Sequence, residues 1–313
     1  MKRPRRSTPA GEHRPVLLDE TLTVLNPRLG QTVVDCTVGW AGHAAELLRR
    51  VGPNGRLIGI DMDAANLPRA RTRLEAVGHP FALHHGNFAG LLGVLATEGL
   101  ASIDMLLADL GMSSMQVDDA QRGFSYVRDG PLDMRMDQTR GRTAAELLAT
   151  IDPAELADAL MNLGDEPHAR LIVDRIVAAR GQEPITRTTE LAHIIMDTVQ
   201  PRDTKWRLHP AKDRWNTHPA ARTFQVLRIL VNRELANLEQ LLRVLPTILR
   251  ARGRAVIISF HSGEDRLVKT AFRDGVRGGL YDATSDEPIR ASFAERIANP
   301  RSRSAKLRWA RRA

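Results

Sequence analysis

The chain of 313 residues has little cysteine, few aromatic residues and no long apolar run. Its one cysteine, Cys36, can form neither an internal disulfide nor a cysteine-based zinc cluster. No apolar stretch reaches the length of a membrane span, and the basic residues after Met1 are followed by no apolar signal core. We therefore expect a cytoplasmic protein with no membrane association and no metal requirement. Hydrophobic residues at 42% and charged residues at 26% are typical of a globular fold.

The net charge of +8 is concentrated at the two ends of the chain. The basic residues of the two ends are Lys2, Arg3, Arg5, Arg6, Arg301, Arg303, Lys306, Arg308, Arg311 and Arg312. Without them the body of the chain is slightly acidic, although a weaker basic stretch runs from 201 to 222. Basic tails predict a polyanionic partner such as nucleic acid, and tails that only aid solubility are the alternative.

Apolar runs that end in acidic residues predict a parallel sheet. Buried strands are predicted at 32–35, 57–61 and 103–108, with a further strand at 81–84. Helical spacing between them, as in 44–51 and 64–77, predicts crossover helices. The sheet is predicted to resume at 255–260 and to end with an edge strand near 306–310. Alternating strands and helices indicate a doubly wound α/β fold.

A helical insertion is expected between Asp109 and Arg254, where no strand pattern is found. Thr143 and Glu146 form a capping-box signature that begins one of its helices. An apolar stripe from Phe224 to Leu242 predicts one long amphipathic helix that returns the chain to the sheet. These patterns divide the chain into a first part of the sheet domain at 1–115, a helical insert at 116–215, and a second part at 216–313 with a basic C-terminal tail.

Three carboxylates, Asp35, Asp61 and Asp109, follow predicted strands. In open α/β sheets, ligands bind beyond the carboxyl ends of the strands. The turn 35–43 carries glycines and leads into a helix, and Asp61 has the offset from Asp35 at which an acidic residue binds ribose hydroxyls. This pattern predicts an adenosine-containing cofactor. S-adenosylmethionine and NAD both satisfy it.

Longer motifs distinguish these two cofactors. The chain resembles the bacterial 16S ribosomal RNA cytosine-N4 methyltransferase family over nearly its whole length. The motifs that carry the resemblance are residues 13–20, 109–116, 118–126, 129–137, 218–225, 258–266 and 299–304. The resemblance implies a class I, Rossmann-like S-adenosylmethionine-dependent methyltransferase sheet interrupted by an all-helical substrate-recognition domain. It also implies methylation of the exocyclic N4 amine of a cytosine in the decoding region of the small ribosomal subunit.

The resemblance also implies a set of site residues. The family's cofactor positions fall on Ala41, Gly42, His43, Asp61, Phe88, Asp109 and Gln116. Asp109 is the candidate catalytic acceptor for the amine N–H, because a carboxylate beside the cofactor can polarise that amine. Phe124, Tyr126, Phe260 and His261 are candidates for contact with the cytosine base. Packing in a core is the alternative for each aromatic, and a hydrogen-bonded turn is the alternative for His261.

The sequence departs from the family pattern in the turn after the first strand. Ala41 stands where the family usually has glycine, and Cys36 also replaces a usual glycine. The added methyl of Ala41 is tolerable at negative φ and costly at positive φ. The stretch 202–215 is longer than the connection usual in the family, and no role is assigned to it.

Two other functions remain open from the residues alone: a nicotinamide-dependent oxidoreductase, and an RNA-binding protein without catalytic activity. The partner expected from the resemblance is 16S rRNA within the small ribosomal subunit. A homodimer is open beside a monomer.

Overall fold

The computed structural model describes residues 15–199 and 218–313. The basic N-terminal residues, the start of the 13–20 motif and the stretch 202–215 lie outside the described residues. The chain forms two compact units. Unit 1 comprises Met1–Gly111 and Leu235–Ala313, and unit 2 comprises Met112–Glu234. The predicted domain boundaries at 115/116 and 215/216 stay a prediction. The second boundary between the compact units falls later in the chain, between Glu234 and Leu235.

Unit 1 is built on a seven-stranded sheet with the order β3-β2-β1-β4-β5-β7-β6 in the described residues. The first five strands along that order are parallel, whereas β7 is antiparallel to both of its neighbours. The strands are β1 Thr32–Asp35, β2 Arg56–Asp61, β3 Phe81–His85, β4 Ile103–Asp109, β5 Leu249–Ser259, β6 Tyr281–Thr284 and β7 Lys306–Arg312. The helices of this unit are α1 Leu18–Leu25, α2 Gly42–Val51, α3 Leu67–Glu75, α4 Leu91–Thr97, most of α11 Glu234–Ile248, α12 Ser262–Arg277 and α13 Phe293–Ala298.

Strand side chains alternate between two apolar cores, one on each face of the sheet. Val33 packs with α1 and α2, whereas its neighbour Val34 packs with α4 and α11. Leu57 and Ile58 of β2 divide between the same two cores. Because both faces are covered, the central strands are continuous apolar runs, which is why the sequence pattern identified them. The predicted doubly wound α/β fold class is confirmed.

The C-terminal segment corrects two predictions. The strand near 306–310 exists, but it lies inside the sheet between β5 and β6 instead of at the edge. The edge strand at this end of the strand order is β6. The predicted basic tail from Lys306 onward is therefore wrong, because alternate residues of a strand face the protein. Arg308 is 3% exposed and donates to Asp265 at 2.6 Å, and Arg311 donates to Asp282 at 2.7 Å.

Unit 2 is helical, as predicted for the insertion. Its helices are α5 Ser114–Asp118, α6 Ala144–Thr150, α7 Pro153–Gly164, α8 Ala169–Arg180, α9 Thr188–Val199 and α10 Ala221–Asn232. Thr143 and Glu146 form the predicted capping box at the start of α6. Among the described residues, no helix is both long and apolar enough to pass through a membrane.

The predicted long helix from Phe224 to Leu242 is wrong, because the chain breaks at Arg233. Arg233 adopts a left-handed conformation with φ of 53° and ends α10. Asn232 is buried there, donating to the Met134 carbonyl and accepting from the Met136 amide, both at 2.8 Å. The break divides one amphipathic stripe between two cores: α10 packs in unit 2 and α11 under the sheet of unit 1.

Candidate active site

Asp35, Asp61 and Asp109 are the last residues of β1, β2 and β4, which are adjacent in the sheet. The three strands are parallel, so their carboxyl ends lie together along one edge of the sheet, the edge that runs across the strands. Asp35 is 2% exposed and Asp61 is 8% exposed, so this edge holds buried acidic groups. The structure thus brings the three predicted carboxylates to neighbouring strand ends, where open α/β sheets bind ligands.

Thr37 connects the ends of β1 and β4. Its hydroxyl accepts a hydrogen bond from the Asp109 amide at 2.7 Å, and its own amide donates to Asp35 Oδ1 at 3.0 Å. Burial raises the pKa of Asp35 to about 7, with the Asp61 charge adding to the effect and the hydrogen bonds from Thr37 opposing it. Sequence reasoning did not assign Thr37 to the site. A hydroxyl two residues after a strand-end aspartate was the signal that could have found it.

Asp109 has the properties expected of a proton acceptor. Its Oδ1 is buried and has no hydrogen-bond partner among the described residues. Burial, followed by the charge of Asp35, raises the pKa of Asp109 to about 7. A buried carboxylate oxygen without a donor is costly unless a ligand supplies one. Asp109 is therefore suited to accept a hydrogen bond from a bound molecule.

His43 lies beside Asp109, in the first turn of α2. Its Nε2 is 2.9 Å from the Val16 carbonyl oxygen, which can only accept, so Nε2 carries the hydrogen. The His43 Nδ1 is then directed to Asp109 Oδ2, at 4.0 Å. The imidazole is 6% exposed, so the protein fixes its orientation. His43 therefore adds a polar group next to the strand-end carboxylate.

Asp61 holds the turn between β1 and α2. Its Oδ2 accepts from the Gly39 amide at 2.7 Å, and its Oδ1 accepts from the Asp63 amide and the Asn66 side chain at 2.8 and 3.2 Å. Burial raises the pKa of Asp61 and these hydrogen bonds lower it. A carboxylate has about four acceptor positions, so one remains for a ligand hydroxyl. Asp63 and Asn66 were missed, since their roles depend on the local fold of 61–66.

The turn that Asp61 holds is strained at Ala41. Ala41 immediately precedes α2 and has φ of 57° and ψ of 37°, a left-handed conformation that L-residues rarely adopt. Its methyl group is fully buried in the core of unit 1. The added methyl of Ala41 is tolerable at negative φ and costly at positive φ, and the structure shows the positive φ. Gly42 follows in the helix, and an added Cβ there would lie 2.6 Å from Pro15 Cγ.

The aromatic candidates of unit 1 lie near this edge. Phe88 is in a short 3₁₀ turn after β3 and is partly buried against the sheet. Phe260 directly follows β5, and its ring leaves no room for a side chain at position 111: a Cβ on Gly111 would be 2.8 Å from the ring. Gly111 therefore allows the turn after β4 to approach Phe260 closely.

His261 caps a helix. This agrees with the alternative given for it, a hydrogen-bonded turn. Its Nδ1 accepts from the Glu264 amide at 3.4 Å, and Glu264 Oε2 accepts from the amides of Phe260 and His261. The two residues form a capping box at the start of α12. Glu264 is 2% exposed and was missed by sequence reasoning.

The remaining candidates belong to unit 2. Gln116 is 5% exposed, and its Oε1 accepts from the Ser113 amide at 3.0 Å. Phe124 is 6% exposed and packs in the core of the unit. Tyr126 stacks on His218 with ring centroids 4.5 Å apart and meets Phe224 edge-on. Phe124 therefore packs in a core, which was the alternative to contact with the base. The ring of Tyr126 already has an aromatic partner.

Comparison with known proteins identifies the family. Residues 10–313 match the model of the MraW methylase family. A Geobacter sp. protein described as ribosomal RNA small subunit methyltransferase H is 42% identical over 95% of this chain and 97% of its own length. A Symbiobacterium thermophilum protein of the same description is 44% identical over 96% of each chain. This level of identity covers both compact units, and methyl transfer is the reaction named by the family. The chain belongs to the MraW methylase family.

Proposed function

We propose that this protein transfers a methyl group from S-adenosylmethionine to the exocyclic N4 amine of a cytosine in the decoding region of 16S rRNA. The observation that carries the proposal is the family match over residues 10–313, together with relatives named for small-subunit rRNA methylation that align with 95% of the chain. Family membership also argues against the nicotinamide-dependent oxidoreductase. A cytoplasmic setting and the small ribosomal subunit as partner are part of this proposal.

The strand-end residues fit the proposed cofactor. Asp61 retains an acceptor position for a ribose hydroxyl, and Phe88 offers an apolar face for adenine. The backbone of Ala41, Gly42 and His43 lies at the start of α2, where helix geometry favours polar ligand groups. Asp109 contributes the buried oxygen that has no donor of its own in the described chain. Gln116, in unit 2, is the remaining cofactor position implied by the family resemblance and stays a prediction.

S-adenosylmethionine, when bound, supplies a methyl group made electrophilic by its sulfonium. The protein must then hold the amine in line with that methyl group. It must also accept the proton of the amine N–H, which becomes acidic as the new bond forms. Asp109 is the proposed acceptor, since burial raises its pKa to about 7 and a carboxyl with that pKa can both take up and release a proton near neutral pH. The Thr37 hydroxyl accepts from the Asp109 amide and so fixes the backbone of the acceptor, and His43 lies beside its carboxylate.

The target base must leave its stack to be methylated, and an aromatic face usually receives it. Phe260 is the proposed platform, because it follows β5 at the same sheet edge as Asp109. Tyr126 and His261 remain secondary candidates. We also propose that the helical unit recognises the RNA substrate.

Methyl transfer from radiolabelled S-adenosylmethionine tests the proposal. The substrate is 16S rRNA, naked or in small-subunit particles, from cells lacking this activity, and nucleoside mass spectrometry identifies the product. We expect N4-methylcytidine within the decoding region. RNA that is already methylated serves as the control and should accept no label. Cofactor and RNA binding without transfer would instead support the catalytically silent RNA-binding protein, and transfer to another atom would refute the N4 assignment.

A further inference from the structure

The end of the sheet that carries Asp109 also carries α13 and the turn that follows it. Because β7 is antiparallel to β5, Lys306 at its start pairs with Ser259 at the carboxyl end of β5. Asp109 pairs with Ile258 in the same region of the sheet. The segment that leads into β7 therefore reaches the sheet at the edge where the strand-end carboxylates lie.

α13 is fixed to this edge by specific contacts. Glu295 Oε1 accepts the Leu17 amide at 2.9 Å, and the Ser292 hydroxyl caps the helix through the Glu295 amide at 3.1 Å. The adjacent Val16 carbonyl binds His43, which faces Asp109. Only a short series of contacts thus separates α13 from the proposed acceptor, so a ligand held on α13 would lie near the reacting edge.

The outer side of α13 combines exposed apolar and cationic groups. Phe293 is 73% exposed and Ile297 is 59% exposed, and their spacing of four places them on one face of the helix. Arg296 is exposed beside them, and Arg303 reaches its carbonyl with a hydrogen bond of 3.3 Å. We define the α13 patch as Arg290, Phe293, Arg296, Ile297, Arg301 and Arg303, all of which are exposed.

Acidic side chains of α1 act on Glu295 of α13. Asp19 and Glu20 of α1 are close enough to Glu295 to raise its pKa, after the larger effect of burial. The α13 patch itself combines arginines with an exposed aromatic ring. Arginines neutralise phosphates, and an exposed ring stacks on unpaired bases; this combination is how proteins bind single-stranded nucleic acid.

We propose that the α13 patch binds unpaired nucleotides of the RNA substrate, with Phe293 stacking on a base and the arginines contacting phosphates. This inference rests on the proposed function, since it names a contact for the same substrate. The RNA would be held by unit 1 itself, at the edge where methyl transfer is proposed. It also assigns a role to Arg301 and Arg303, which the charge pattern had placed in a tail.

The test measures binding of a single-stranded decoding-region transcript to the full chain. Phe293→Ala should weaken binding by about tenfold, since stacking of one base on an aromatic ring has effects of that order. Phe293→Trp should retain affinity, whereas Phe293→Leu, which keeps apolar area but no ring, should lose it. The matched control is Leu29→Ala, because Leu29 is 76% exposed and lies before β1, at the opposite edge of the sheet.

The charge component has its own control. Arg296→Gln should reduce the slope of log affinity against log salt by about 0.7, the contribution of one phosphate contact to a single strand. Arg277→Gln, at the far end of α12, should leave the slope unchanged. Unchanged affinity in Phe293→Ala, or equal losses in Phe293→Ala and Leu29→Ala, would overturn the inference. So would an effect seen with ribosomal particles but not with naked transcript, because the patch would then contact a protein.

The two proposals fail separately. If the wild-type chain methylates rRNA and the α13 variants bind it normally, only the patch assignment is wrong. If the wild-type chain transfers no methyl group to rRNA, the proposed function is wrong, whatever the binding of the variants.

Discussion

Replacing Ala41 with glycine should leave stability nearly unchanged, although the methyl group that it removes is fully buried. Two effects of the change are unfavourable. Loss of the buried methyl costs about 0.8 kcal/mol. The added freedom of glycine in the unfolded chain costs roughly 0.5–1 kcal/mol. One effect is favourable: relief of the left-handed conformation at φ of 57° returns about 1–2 kcal/mol. The sum lies close to zero.

Ala44→Gly is the matched control. Ala44 lies three residues further on, within α2, and is also fully buried. There the methyl and entropy costs apply without any relief of strain, so we expect a loss of about 1.3–1.8 kcal/mol. The two Ala→Gly variants should therefore differ by about 1–2 kcal/mol, and only the backbone conformation explains that difference.

Equilibrium unfolding in urea, with the wild-type chain and both variants measured side by side, gives the two differences in unfolding free energy. Thermal unfolding provides a second readout, in which Ala44→Gly should lower the midpoint more than Ala41→Gly does. If Ala41→Gly and Ala44→Gly are destabilised equally, position 41 carries no backbone strain in solution, and the reasoning from its φ fails.

Three further predictions concern the sheet edge and its supports. Asp109→Asn should lower the rate of methyl transfer by about two orders of magnitude. The wild-type rate should rise with pH through about 7, as the Asp109 carboxyl loses its proton. A single-turnover rate that does not change between about pH 5.5 and 8.5 would contradict this role. Gly111→Ala should displace the Phe260 ring, because the new Cβ would lie 2.8 Å from it. We expect less efficient methylation of RNA by this variant. Unchanged KM and kcat for RNA would argue against Phe260 as the platform for the base. Asp265→Ala should destabilise the fold by about 3–5 kcal/mol in urea unfolding, since it leaves the buried Arg308 without its carboxylate; a loss below about 1 kcal/mol would mean that Arg308 finds another partner.

The sequence predicted the elements whose patterns are local. β1, β2 and β4 appear as apolar runs because both of their faces are buried, and each ends in an acidic residue that the structure places at the same edge of the sheet. The capping box at Thr143 was predictable for the same reason, since its two residues are three apart in the chain. The strand-end carboxylates could therefore be recognised without knowledge of the tertiary structure.

Elements that depend on distant partners were predicted wrongly or missed. A helical stripe cannot show that Arg233 breaks it, because the break depends on the bonds of Asn232 to Met134 and Met136, nearly a hundred residues away. Likewise, a basic segment at the chain end resembles a solvated tail until Asp265 is known to pair with Lys306 and Arg308.

What the sequence determined by itself is the parallel α/β core, the helical insertion and the acidic residues at three strand ends, since each follows from hydrophobic periodicity and short-range chemistry. The tertiary structure alone decided that Ala41 is left-handed, that Thr37 joins two strand ends, that the C-terminal arginines enter the sheet and that α13 lies beside the edge with the strand-end carboxylates. The physical reason is that these features depend on hydrogen bonds and packing between residues far apart in the chain, for which a linear pattern holds no signal.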